Sequence, residues 1–136
     1  MNQLADSLTT IRLSLHVLAA CVWVGGQIVM LGLLPDVRRL GGEASVKVAR
    51  AFARVSWPAF AVLVITGFWN VSAVHSSDST HAWKVVLAVK IVVVVVAGVA
   101  AFVHGRAKTR PSLAAWGSIA GTASIVAVIL GVLLAG

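Results

Sequence analysis

The sequence predicts an all-α integral membrane protein, an up-down-up-down four-helix bundle. Three observations predict it. Of the 136 residues, 60% are hydrophobic and 11% charged, less than half the charged share of a soluble domain. Four apolar runs, each near the 20 residues or so that a membrane-crossing helix needs, take up most of the length. The connections between the runs are short, and short connections make neighbouring helices antiparallel. One domain over 1–136 is expected, with the lipid bilayer as its principal partner.

Residues 1–10 form a short polar lead without a basic n-region, ending in a helix cap at Thr9 or Thr10. The first apolar run is too long for a signal-peptide core and reads as a retained helix over 11–34, ended by Pro35 and Asp36. Gly41 and Gly42 break the basic stretch that follows. From Glu43 the pattern Val46, Ala49, Phe52, Ala53 predicts an amphipathic helical lead into a second span over 55–74. Pro58 falls in the first turn of that span, where proline is tolerated. A polar loop, 76–80, lies between His75 and His81. The third span covers 83–103 and contains Lys90, and the fourth covers 112–134. In the fourth, Gly117 and Gly121, with Ala120 and Ser124, have the small-residue spacing that permits close helix contact.

The formal net charge is +7. In a soluble protein this would point to nucleic acid; here no nucleic-acid partner is expected, because the charges sit in short connections. Eight of the eleven Lys and Arg residues (Arg38, Arg39, Lys47, Arg50, Arg54, Arg106, Lys108 and Arg110) lie in the first and third connections. The positive-inside rule puts both in the cytoplasm of a bacterial plasma membrane, with both termini and the His75–His81 loop outside. One cysteine excludes an intramolecular disulfide and any CxxC metal motif. There are no paired carboxylates, no catalytic triad and no nucleotide-binding loop, and the four acidic residues all lie outside the apolar spans.

The chemistry therefore rests on a few polar residues in apolar surroundings. On a helix, positions seven apart nearly superpose. His16, Trp23 and Met30 form one stripe, with Ala20 and Gln27 beside it and Cys21 pointing away to packing. Trp83, Lys90, Ala97 and His104 form another. A histidine within a span normally faces a protein interior, so His16 is either a satisfied interior residue or a ligand or proton-handling group. Trp23, mid-span, needs an indole partner. Lys90 either snorkels to the interface or shares an outer-leaflet site with His16, since their depths agree within about 3 Å. His104 lies roughly 24 Å from the His16 level at about 1.5 Å per residue and is excluded from that site. His75 and His81 are either solvated loop residues or, with His16, a copper-binding set. Trp69 and Trp83 read as interfacial aromatics.

The motif His16-x6-Trp23-x-Gly25-Gly26, followed by Arg54, Thr66-Gly67 and Lys90, resembles the copper resistance protein D (CopD) family over roughly residues 11–107. The resemblance implies copper handling or transport across a bacterial cytoplasmic membrane; many members of that family are longer. A weaker resemblance is to the HemJ-type protoporphyrinogen oxidases, small four-helix proteins with a helix 1 histidine, a following tryptophan and glycine, and a helix 3 lysine. It implies haem b at His16, with Trp23 and Lys90 as further cofactor-binding positions. Copper is the first expectation and haem b the alternative. A third is a structural subunit, in a homodimer or a larger membrane complex.

Overall fold

The computed structural model describes residues 4–75 and 77–136. They form four long helices, α1 (Ser7–Arg39), α2 (Gly42–Ser72), α3 (His81–Arg106) and α4 (Arg110–Ala135), each long and apolar enough to cross a membrane. There is no strand among the described residues. The all-α class and the four membrane-compatible helices are thus as the composition predicts. Met1–Gln3 of the polar lead and Ser76 of the polar loop lie outside the described residues.

Outward-facing positions are apolar: Leu18, Ile65, Val92 and Val132 are 64, 65, 62 and 69% exposed. Water would not tolerate so continuous an apolar surface, but lipid tails do. The buried residues are mostly small, Ala19, Ser56, Thr66, Ala97, Ala100, Ala120 and Ser124. This is how membrane helices pack, because close backbone approach replaces the hydrophobic drive that lipid removes.

The chain divides into two compact units, Met1–His75 and Ser76–Gly136. In the first, His16 meets Thr66, Trp23 meets Trp57 and Phe60, and Gly26 faces Phe52. Numbers fall along α2 as they rise along α1, so the pair is an antiparallel hairpin. In the second, Trp83 meets Leu134, Lys90 faces Gly131, and His104 meets Leu113 and Gly117. That unit is an antiparallel hairpin too, and the Trp83–Lys90–Ala97–His104 stripe is its inner face, with Ala97 2% exposed.

Four expectations about boundaries are corrected. The first helix starts at Ser7, not at residue 11, and its cap is Asp6 rather than Thr9 or Thr10. The Asp6 carboxylate accepts the Thr9 backbone N–H at 2.7 Å, as an N-cap acid should. Pro35 does not end this helix, which runs on to Arg39. A proline deprives only the carbonyl four residues back, and the next stop is set by Gly41, whose φ of 103° an L side chain resists. Arg38 and Arg39 occupy the last turn, where cations suit the helix dipole. The lead from Glu43 and the second span are one helix, because nothing between them breaks the backbone ladder. Pro58 consequently sits deep inside α2, not in a first turn, and leaves the Arg54 carbonyl without its usual donor. The third and fourth helices begin two residues early, capped by the hydroxyls of Thr80 and Thr109, with Pro111 in the first turn of α4.

Candidate histidine site in the first hairpin

One wide, π-helical turn, Cys21–Gly25, interrupts α1. Such turns displace carbonyls from the regular ladder and recur at functional positions. Here the loosened Trp23 carbonyl accepts a bond from the Gln27 side chain, Nε2 to O at 3.0 Å. The turn directs Trp23 into the hairpin, where it is 4% exposed. Its ring packs on Phe60 with centroids 4.5 Å apart and meets Trp57 edge-on at 5.6 Å. Gly26 follows: a Cβ there would stand 2.6 Å from the Phe52 ring. The Trp-x-Gly-Gly stretch is a packing device that brings α1 close to α2.

Two turns before Trp23, His16 is half-buried, and its Nδ1 lies 2.7 Å from Thr66 Oγ1. The hydroxyl of Thr66, 3% exposed, donates to the Val62 carbonyl at 2.6 Å. A hydroxyl has one proton and a carbonyl only accepts, so that proton is committed and the imidazole must be the donor at Nδ1. In a neutral ring the lone pair is then on Nε2. Orientation of an imidazole through its second nitrogen is the usual companion of metal ligation by the first. Gly67, beside Thr66, adjoins the ring: a Cβ there would stand 3.6 Å from His16 Cε1, an ordinary contact. Thr66 and Gly67, fifty residues away in sequence, are thus part of the histidine's seat.

The other sequence-predicted positions fall elsewhere. Cys21 is exposed, on the face away from this site. His75 follows the end of α2 and is exposed; Ser72, the last helical residue, is already about 9 Å along the axis from Thr66. In the second unit, His81 is exposed in the first turn of α3. Among the described residues no group of three or more His, Cys, Asp or Glu side chains is gathered in a way that could hold a metal ion. Lys90 is half-buried, with Nζ 2.9 Å from where a Gly131 Cβ would be. Trp83 is partly buried and donates its indole N–H to the Leu134 carbonyl at 3.3 Å. His104 donates Nδ1–H to the Leu113 carbonyl at 2.9 Å and lies over Gly117. Arg106 stacks on Phe102, 3.6 Å from the ring centroid.

Sequence reasoning missed Arg12 and Asn70. Arg12 Nε and Asn70 Oδ1 are buried without a hydrogen-bond partner. A signal existed for both: Arg12 is four residues before His16 and Asn70 four after Thr66, the spacing that keeps side chains on one helix face.

Comparison with protein-family models, curated proteins and solved structures finds no match to the chain.

Proposed function

We propose that this chain is a CopD-like protein of the bacterial plasma membrane in which His16 binds copper as cargo, for copper handling or transport on the outer side. The observation that carries the reading is the orientation of His16. With Nδ1–H held by Thr66, Nε2 of the neutral ring would be the nitrogen to take copper, for which imidazole is a suitable ligand. The spatial gathering of His16, Thr66 and Gly67 adds weight to the motif resemblance, because residues separated in that motif serve one imidazole. A cargo ion held by one helix-borne imidazole needs further donors. Within the same unit His75 is the candidate, exposed beyond the end of α2.

The second reading is haem b. Haem iron can be held by a histidine, and in the first hairpin His16 would be that residue. The iron would bring redox chemistry; the chain's own part is to hold and orient the imidazole and to keep water from it. In this reading the chain is a haem-binding redox protein or an oxidase of the HemJ type. The third reading, a structural subunit, needs no ligand.

A visible absorption spectrum and metal analysis of the purified protein separate them. Copper that is lost in His16→Ala, with no Soret band, supports the first reading. A Soret band lost in His16→Ala replaces it with the second. Neither species, in protein purified from copper-supplemented cells, sinks both and leaves the structural role.

A further inference from the structure

The open end of the first hairpin, opposite the Gly41 turn, carries an unanswered pair of polar groups. Stepping four residues from His16 toward the start of α1 reaches Arg12. Stepping four from Thr66 toward the end of α2 reaches Asn70. Because the helices are antiparallel and His16 touches Thr66, Arg12 and Asn70 stand at the same level on facing sides. Arg12 Nε is a buried donor and Asn70 Oδ1 a buried acceptor, each unpartnered. Neither ion pair seen among the described residues, Arg39–Asp36 or Lys47–Glu43, involves Arg12. Asp6 is engaged in capping α1, and Asp36 and Glu43 lie at the far end of the hairpin.

From this pair we infer that Arg12 and Asn70 bind the headgroup of a phospholipid that carries both a phosphate and an N–H or O–H donor, such as an ethanolamine headgroup. The guanidinium requires an anionic oxygen, and phosphate is a preferred partner of its planar fork. The Asn70 oxygen requires a donor, which a bare phosphate dianion or a choline headgroup does not have. A bridging water would satisfy both atoms but would add no negative charge beside the guanidinium, on which Asp6 acts without a direct ion pair among the described residues. The depth is right as well. α2 has 31 residues, about 46 Å at 1.5 Å each, against a hydrocarbon core of about 30 Å. Its terminal turns therefore reach the headgroups, and Asn70 lies two residues from its end at Ser72. Trp69, next to Asn70 and 40% exposed, is the kind of aromatic that settles at that boundary.

The test uses the full chain, purified in detergent and stripped of lipid. Thermal unfolding, followed by tryptophan fluorescence, is measured against short-chain phosphatidylethanolamine, short-chain phosphatidylcholine and inorganic phosphate. The ethanolamine lipid should raise Tm with a half-saturation about tenfold to a hundredfold lower than the choline lipid, the range that one charged hydrogen bond produces. Asn70→Leu should abolish that preference, and Arg12→Met should weaken the response to both lipids. If a variant does not fold, native mass spectrometry of the unaltered protein decides: a retained ethanolamine lipid in preference to choline lipid supports the site. Equal responses to the two lipids, a preference unchanged in folded Asn70→Leu, or undiminished responses in folded Arg12→Met, would overturn it. A full response to inorganic phosphate would overturn the lipid source. A Soret band lost in Arg12→Met without change in the lipid response would instead assign Arg12 to the occupant of His16. His16→Ala should leave the lipid preference intact, so this inference and the copper reading fail separately.

Discussion

At the scale of single residues, Thr66 decides which nitrogen of His16 donates. The Thr66 proton is taken by the Val62 carbonyl, so the imidazole donates Nδ1–H, and a neutral ring is held in that one tautomer. Thr66→Val keeps the shape and removes the acceptor. It should release the ring to exchange between tautomers and cost about 1–3 kcal/mol of stability, the penalty for an orphaned buried donor. Thr66→Ser should restore both. Nitrogen NMR of the His16 ring reads the tautomer directly, and an unchanged single tautomer in Thr66→Val would refute the assignment. Much of this site was legible in the chain itself: seven-residue spacing placed His16 and Trp23 on one interior stripe. What was not legible was the partner. Thr66 looks like any threonine in a span until helix pairing brings it to the imidazole. Arg12 counted only as one of the few basic residues outside the two rich connections, although its spacing from His16 put it on the same face.

Elements show where general rules needed the backbone to arbitrate. Pro35 and Pro58 were read as an end and a beginning, because proline costs an interior helix one hydrogen bond. In both helices the neighbouring ladder continues through it, and the real break is Gly41 with its positive φ. Helix contact in the second unit separates two glycines that look alike in sequence. A Cβ at Gly117 would meet His104 Cε1 at 3.0 Å, and one at Gly131 would meet Lys90 Nζ at 2.9 Å. The histidine ring is tied to the Leu113 carbonyl, whereas an ammonium on a four-carbon stem swings aside. Gly117→Ala should therefore destabilise by about 1–3 kcal/mol, as overpacking does, and Gly131→Ala should be neutral or stabilising through better helix propensity. Thermal unfolding of the two variants side by side checks this; equal losses would show that Lys90 is as fixed as His104. The cap of α1 is sensitive to pH. The Thr9 backbone N–H, and then its hydroxyl, hold the Asp6 carboxyl below its ordinary value of 3.8. A carboxyl lowered by folding stabilises fully above that ordinary value, and the contribution is lost as pH falls through the lowered one. Hydrogen exchange at Thr9 and Thr10 should accelerate on acidification, relative to the intrinsic rate, in the native chain and show no such step in Asp6→Asn.

For the whole molecule, the most informative pattern is the charge at the two hairpin turns, and each hairpin can be oriented without reference to the other. In the first, Arg38 and Arg39 end α1 at the Gly41 turn, and Lys47, Arg50 and Arg54 follow on the adjoining part of α2; the open end has Arg12 and the acidic Asp6. In the second, Arg106, Lys108 and Arg110 surround the turn, while the open end has Lys84, with Lys90 two turns into the helix. The excess of Lys and Arg sets orientation when counted over short loops and their flanks. By that rule each hairpin, taken by itself, is expected to place its turn in the cytoplasm and its open end outside. The expected outcome is that a reporter active only outside the cytoplasm works when fused after Gly136 and fails when inserted beside Lys108. Moving charge should move the result: replacing Arg106, Lys108 and Arg110 by Gln, with three lysines added after Gly136, should give a mixed population, because the first hairpin still holds its own orientation. A wild-type fusion after Gly136 that is active only in the cytoplasm would reverse both hairpins, and with them the outer-side location proposed for His16.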